Sequence, residues 1–132
     1  MATFPSLNHI ALTVRSLDVS APWYQALIGT DPIHNERTAG GFHHIVWRLD
    51  NGTYIGIHQH DQPAEDGRFS EFRVGLDHVA FGCAGRAGLE VWARRLEELG
   101  IEHGGIVDEY YGSGLSFRDP DGITLEFFAL PA

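Results

Sequence analysis

An internal repeat constrains the fold of this chain more than any other feature of its sequence. The stretch LNHIAL at residues 7–12 recurs as LDHVAF at residues 76–81. Both copies carry a histidine at the third position, His9 and His78, which are 69 positions apart. A repeat on this scale indicates a duplicated structural unit, so we expect two modules of about 65 residues each.

The repeat extends beyond the first strand of each module. The displacement of 69 positions also relates Trp23 to Trp92, in segments predicted to be helical. A displacement of 70 positions relates the turn Asn51-Gly52 to Asp121-Gly122 near the end of each module. We therefore place module one at about 5–60, a polar linker at about 61–74 and module two at about 75–130.

The residue pattern within each module predicts a strand, a helix and three further strands. Over residues 9–14, His9, Ala11 and Thr13 alternate with Ile10, Leu12 and Val14, which is the period of a strand. Ser16 or Asp18 is expected to cap a helix that carries Pro22 in its first turn and ends at Gly29. A short strand and a hairpin complete the module. The sequence thus predicts an α+β fold of two tandem βαβββ modules.

Composition and charge exclude several classes of protein. The 132 residues carry a formal charge of −9, with 9 basic against 18 acidic side chains, so the average surface repels a nucleic-acid backbone. No apolar run approaches the roughly 20 residues that cross a bilayer. The first residues do not resemble a signal peptide, so we expect a cytoplasmic protein. Cys83 is the single cysteine and excludes an internal disulfide.

Three polar side chains are expected on strand faces that point away from the helices. His9 and His78 alternate with apolar residues, and Glu126 lies in mid-strand between Leu125 and Phe127. An ionised glutamate in such a place is costly unless it is paired or holds a cation. Two imidazoles and one carboxylate suit a divalent metal with open coordination positions. The alternative is a pair of hydrogen-bonded core histidines with Glu126 on an exposed edge.

The repeated segments resemble the vicinal oxygen chelate superfamily. LNHIALTV with its following helix, LDHVAF and DPDGITLEFF carry the resemblance, which covers nearly the whole chain. This superfamily includes glyoxalase I, methylmalonyl-CoA epimerase, extradiol dioxygenases, fosfomycin resistance transferases and bleomycin resistance proteins. The resemblance implies an open, cupped mixed sheet around one divalent cation held by His9, His78 and Glu126. It also implies a substrate that binds the metal through two adjacent oxygens, and a homodimer in which modules pair within or between chains.

One position departs from the pattern of the superfamily. Many members carry a fourth ligand on the last strand of module one, and the displacement of 70 takes Glu126 back to Gly56. Glycine has no side chain to offer a metal. His58 lies two residues further on the same strand face, where it could serve as the fourth ligand or move a proton. His60 follows on that face near the end of the strand.

The resemblance implies a metal-dependent lyase, isomerase or dioxygenase acting on a small molecule. The ligand set accepts Fe²⁺, Mn²⁺, Ni²⁺, Co²⁺ or Zn²⁺. An extradiol-type reaction would place a histidine and a tyrosine near the open metal positions. His58 and the Tyr110-Tyr111 pair are the candidates, and the alternative for the tyrosines is that they are loop aromatics covering a pocket. The glycine-rich stretch EYYGSG at residues 109–114 is expected to be a mobile loop over the cavity.

The alternative function is metal-independent binding of a small molecule or antibiotic, as in bleomycin resistance proteins. Such a protein would use the same scaffold as an aromatic cleft. Trp47, Tyr54 and Phe128 are the expected lining residues. The presence of all three metal-ligand candidates favours the enzyme.

Overall fold

The computed structural model describes residues 2–132, which fold into two compact units. The first unit extends to Asp66 and the second begins at Gly67. Each unit contains one helix and one four-stranded sheet in the order βαβββ. The prediction of an α+β fold with two tandem βαβββ modules is confirmed.

The first unit is built on a mixed sheet with strand order β1-β4-β3-β2. β1 runs parallel to β4, and the other pairs are antiparallel. The turn between β3 and β4 contains Gly52 at a φ of 82°, as the Asn-Gly sequence predicts. The elements are β1 His9–Thr13, α1 Leu17–Ile28, β2 His34–Arg37, β3 Phe42–Arg48 and β4 Tyr54–His60.

The first helix begins and ends where the sequence predicts. Ser16 is its N-cap, although the Ser16 side chain makes no capping hydrogen bond, and Gly29 ends it at a φ of 78°. The placement of Pro22 in the first turn is wrong, because the helix already begins at Leu17 and Pro22 lies in its interior. A proline at this position cannot donate a hydrogen bond to the carbonyl of Asp18 one turn earlier.

The core of the first unit lies between α1 and one face of the sheet. Trp47 is only 1% exposed, and its indole N–H donates to Gln25 Oε1 at 3.2 Å and to the Thr30 carbonyl at 3.1 Å. Its ring lies 6.3 Å from that of Tyr24 on α1. The expectation that Trp47 lines a binding cleft is therefore wrong. The other buried residues on this sheet face are Leu12, Ile45, Ile55 and Ile57.

The second unit repeats this arrangement with strand order β5-β8-β7-β6. Trp92 on the helix stacks on Phe127 at 4.2 Å, so the helix covers the Phe127 face of the sheet. Neither helix within residues 2–132 combines the length and apolar character needed to cross a membrane. The elements are β5 Val79–Cys83, α2 Arg86–Glu98, β6 His103–Glu109, β7 Gly112–Arg118 and β8 Thr124–Ala129.

The stretch EYYGSG forms a tight hairpin, so the prediction of a glycine-rich loop is wrong. β6 and β7 pair up to Glu109 and Gly112, which leaves Tyr110 and Tyr111 as the two residues of the turn. The glycines that suggested a loop lie inside β7. Gly112 is required there because a Cβ would overlap the ring of Phe128 and lie 2.7 Å from the Ala129 carbonyl oxygen.

Candidate functional site

The sheet face of the first unit that points away from α1 is rich in histidine. Strand alternation and register place five of the eight histidines of the chain on it. One carboxylate, that of Glu36, lies among them. These side chains converge although they come from four different strands. The five are His9, His34, His44, His58 and His60.

His9 is held in one tautomer by the residue before it. Its Nδ1 lies 2.6 Å from Oδ1 of Asn8, and an amide oxygen only accepts, so the imidazole donates from Nδ1. The lone pair of the ring is therefore on Nε2. His9 is exposed, so Nε2 is accessible to a ligand.

His78 has the same arrangement at the equivalent position of the second unit. Its Nδ1 donates to Oδ1 of Asp77 at 2.6 Å, and its side chain is 41% exposed. A histidine that ligates a metal through one nitrogen usually donates from the other to a carboxylate or an amide oxygen. Both histidines are thus oriented for ligation through Nε2.

Glu126 lies on the open face of β8, opposite the face that α2 covers. Its register partners are Ala80 and Ser116, and the Ser116 hydroxyl donates to Oε2 at 3.3 Å. A Cβ on neighbouring Gly114 would lie 3.2–3.3 Å from the carboxylate atoms, so glycine makes room for this group. His78 comes directly before β5, two positions ahead of Ala80, the register partner of Glu126.

His58 lies over Gly56, the position to which the family resemblance would assign a fourth ligand. Its Nε2 is 3.7 Å from the point where a Cβ on Gly56 would be. The ring stacks on Phe42 with 4.4 Å between centroids and an angle of 10°. Burial lowers the pKa of His58, and the nearby His44, His60 and His9 lower it further. His58 is therefore neutral at pH 7, as a base or a metal ligand must be.

The sequence-based prediction missed His44, which lies beside His58, and the residues that precede His9 and His78. His44 pairs with His58 across β3 and β4, and its Nε2 donates to Oε1 of Glu36 at 2.9 Å. Counting outward from the Asn51-Gly52 turn would have placed His44 opposite His58. Asn8 and Asp77 were also missed, although the repeat itself conserves a polar residue before each histidine.

Tyr111 lies at the tip of the β6–β7 hairpin and is 55% exposed. Its ring is nearly parallel to that of Phe128, at 15° and 6.3 Å between centroids. Phe128 is two positions from Glu126 on the same strand face. Tyr111 therefore lies beside Phe128, on the sheet face that also carries Glu126.

The residues of the predicted metal site are divided between the units: His9 belongs to the first, and His78 and Glu126 belong to the second. Within either unit, residues 2–132 contain no group of three His, Cys, Asp or Glu side chains arranged to hold a metal. The shared site of His9, His78 and Glu126 stays a prediction. The donor set itself, two oriented imidazoles and a carboxylate, fits a divalent cation.

Comparison with known proteins identifies the family. The family model described as "Glyoxalase/Bleomycin resistance protein/Dioxygenase superfamily" matches residues 6–127. The chain belongs to this superfamily. The glyoxalase-type fold predicted from the sequence resemblance is thereby confirmed.

Proteins that are similar in sequence to this chain carry names of different activities. "Glyoxylase I 4" of Arabidopsis thaliana is 31% identical over 131 residues, which cover 92% of this chain and 68% of that protein. A "putative ring-cleaving dioxygenase" of Bacillus subtilis is 29% identical over 128 residues; the match covers 94% of this chain but only 39% of the longer Bacillus protein.

A solved structure supports the glyoxalase-type fold independently. The crystal structure of a glyoxylase/bleomycin resistance protein/dioxygenase domain from Frankia sp. superposes with a TM-score of 0.86 and 30% identity. The match covers 98% of this chain and 94% of the Frankia chain.

Proposed function

We propose that this protein is a divalent-metal-dependent enzyme of the glyoxalase/dioxygenase type, with His9, His78 and Glu126 as the metal ligands. Its substrate is a small molecule that binds the cation through two adjacent oxygens. The observation that carries the proposal is the matching orientation of His9 and His78. Each donates its Nδ1–H to the preceding side chain, at 2.6 Å in both units, and leaves Nε2 free.

The ligand set defines the chemistry that the site supports. Two neutral imidazoles and one carboxylate accept Fe²⁺, Mn²⁺, Ni²⁺, Co²⁺ or Zn²⁺ and leave coordination positions for two substrate oxygens. A bound cation supplies Lewis acidity, which stabilises negative charge on a substrate oxygen. The reaction is a lyase, isomerase or dioxygenase reaction. The resemblance to the vicinal oxygen chelate superfamily also leads us to expect that the working form is a homodimer.

His58 is the proposed proton-transfer group. Its lowered pKa keeps the imidazole neutral at pH 7, and the stack on Phe42 limits its rotation. Its Nε2 lies over Gly56, which is the counterpart of Glu126 in the repeat. The register of β1 and β4 places His58 on the same sheet face as the proposed ligand His9. The alternative role for His58 is that of a fourth metal ligand. Tyr111 is the second proposed catalytic residue, placed to orient the substrate from the hairpin tip.

The proposal is tested by the metal content of protein purified without a histidine tag. We expect about one equivalent of divalent metal per site in the wild type. His78→Ala and Glu126→Gln should each lose it. His43→Ala is the matched control, because His43 lies on the helix-facing side of β3 and bonds to Asn35.

Two outcomes would contradict the proposal. Variants at His78 or Glu126 that stay fully loaded would remove these residues from the ligand set. Wild-type protein that carries little metal, even after incubation with Fe²⁺, Mn²⁺ or Zn²⁺, would favour a metal-independent binding protein.

A second variant separates the two roles of His58. His58→Gln should keep the metal if His58 is a proton-transfer group, and should lose part of it if His58 is a ligand. Circular dichroism checks that the fold is retained. Loss of metal in this variant would remove His58 from proton transfer and add it to the coordination sphere.

A further inference from the structure

Phe128 has no side chain beside it on either neighbouring strand. Its register partners are Gly82 on β5 and Gly114 on β7. An aromatic residue in a sheet usually packs against the side chains directly across from it. On the open face of β8, no side chain directly across from Phe128 therefore packs against it.

The hairpin tip fixes the Phe128 ring from the β7 side. The ring lies against Gly112, whose φ of 149° and missing Cβ make this contact possible. Tyr111 lies nearly parallel to it at 6.3 Å, and Tyr110 packs edge-on against Tyr111 at 5.3 Å. These three rings form an aromatic wall at one end of the Glu126 face.

The β5 side of this wall is open. A Cβ built on Gly82 would meet no atom within 4 Å, and Ala80 beside Glu126 is exposed. Ser116, the other register partner of Glu126, is also exposed. Because no atom lies within 4 Å of the point where a Cβ on Gly82 would be, a flat ring has room to lie beside Phe128 on this side.

Charge restricts what such a ring can carry. Glu126 brings a carboxylate to this face, and Arg118 on β7 is engaged by Glu71 with 3.0 Å between Nη2 and Oε1. In the metal-free protein, Glu126 therefore repels an anionic ring substituent, and Arg118 is already paired with Glu71. Neutral hydroxyl substituents meet no such penalty.

We propose that the space bounded by Phe128, Tyr111 and Gly82 receives a planar, uncharged aromatic ring of the substrate, with its oxygens directed towards Glu126. Aromatic rings attract one another in offset-stacked and edge-to-face arrangements, which a puckered ring cannot reproduce. The direction of the oxygens rests on the proposed metal-dependent function. Recognition of the ring depends only on the aromatic wall and the glycine beside it.

Two small probes separate ring recognition from oxygen binding. Catechol and cis-1,2-cyclohexanediol both carry adjacent hydroxyls, but the first ring is flat and the second is puckered. Binding is measured by ¹H–¹⁵N NMR titration of the whole protein under argon, first after metal removal with EDTA and then with Zn²⁺. We expect catechol to bind about fivefold more tightly in both states. The largest shifts should be at the amides of Gly82, Gly114 and Phe128.

Three substitutions test which residues cause the preference for catechol. Phe128→Leu should abolish the preference for catechol. Gly82→Val should block catechol, because Gly82 has ordinary strand backbone and its side chain would fill the open space. Gly104→Val on β6 is the control and should bind like the wild type, since its Cβ meets only the Ser116 carbonyl at 3.9 Å.

The outcomes for the ring and for the metal are distinct. Equal affinity for the two probes, or an unchanged preference in Phe128→Leu, would overturn the ring proposal. If Zn²⁺ strengthens neither probe but the preference for catechol persists, the ring proposal stands and the metal-dependent function fails. If Zn²⁺ strengthens both probes equally and no preference exists, the ring proposal alone fails.

Discussion

His78 donates its Nδ1–H to Oδ1 of Asp77 at 2.6 Å, so the residue before the proposed metal ligand sets its tautomer. In the first unit, the amide oxygen of Asn8 does the same for His9 at the same distance. An oxygen acceptor thus precedes each histidine, as an amide in one unit and as a carboxylate in the other. Such partners typically raise metal affinity by about 10–100-fold.

Removal of the Asp77 oxygen should weaken metal binding without unfolding the protein. We expect Asp77→Ala to raise the Kd for Zn²⁺ by about 10–100-fold, measured by competition with a chelator. Asp77→Asn should retain most of the affinity, because Asn8 already performs this role with an amide. Equal losses in both variants would show that charge, and not tautomer control, is the contribution of Asp77.

A methyl group at Gly114 should disturb the Glu126 carboxylate. In Gly114→Ala, the new Cβ would lie 3.2 Å from Cδ and 3.3 Å from both carboxylate oxygens. Gly114 has no positive φ, so alanine is tolerated by the backbone. We expect Zn²⁺ affinity to fall by about tenfold, as for other displaced ligand supports. The free energy of unfolding should change by less than about 1 kcal/mol.

Gly104→Ala is the matched control for this substitution, because its Cβ would approach nothing closer than 3.9 Å. It should leave both the Zn²⁺ affinity and the urea midpoint as in the wild type. A Gly114→Ala protein with unchanged affinity would mean that Glu126 does not bind metal in the conformation described.

The local elements of the fold could be predicted from sequence because their signals are local. Alternation from His9 to Val14 identifies a strand, and Asn51-Gly52 identifies a turn, without reference to distant residues. The hairpin at Tyr110-Tyr111 is not predicted from sequence, because glycine at position 112 is equally typical of a loop. Glycine is required at position 112 because a Cβ there would overlap the ring of Phe128. This contact becomes apparent only when β7 and β8 are paired.

The candidate site was predictable in part for the same reason. Strand alternation places His9, and separately Glu126, on the face away from the helices. The position of His58 over Gly56 depends on a side-chain rotamer, which the residue pattern does not specify. A common site for residues from both units depends on contacts between distant segments, and the repeat carries no distance information about them.

Replacement of the interior proline of α1 should stabilise the protein. Pro22 is exposed and cannot donate to the Asp18 carbonyl, whereas alanine can. The gain in helix propensity, about 3 kcal/mol, is partly offset because proline also restricts the unfolded chain. We expect Pro22→Ala to raise the free energy of unfolding by about 1 to 2 kcal/mol, measured from urea unfolding at an unchanged m-value.

The neighbouring exposed helix position provides the control for Pro22. Ala26→Gly should lower the free energy of unfolding by about 1 kcal/mol, since glycine in a helix interior has that cost. If Pro22→Ala leaves the urea midpoint unchanged, then α1 contributes little to the cooperative unfolding of the first unit.

The ion pair between Arg86 and Asp108 should shape the acid stability of the second unit. Arg86 donates from Nε and Nη2 to the two carboxylate oxygens at 2.8 and 3.0 Å, and Ser113 donates to Oδ1 at 2.6 Å. The hydrogen bonds from Arg86, followed by that from Ser113, lower the pKa of Asp108 from 3.8 to about 2. A depressed carboxyl pKa stabilises the folded state above the unfolded value, so this contribution is complete above about pH 5 and is lost as pH falls towards 2.

Substitution of Arg86 should therefore move the titration of Asp108 upwards. We expect the pKa of Asp108 to rise towards 3.8 in Arg86→Gln and to rise less in Ser113→Ala. The pKa is measured from the ¹³C chemical shift of the Asp108 carboxyl group as a function of pH. Glu90→Gln removes the other partner of Arg86 and should leave Asp108 as in the wild type. Because the folded and unfolded pKa values then nearly coincide, Arg86→Gln should lose less stability between pH 4 and 2 than the wild type does. An Asp108 pKa that stays near 2 in Arg86→Gln would show that another group holds the carboxylate ionised.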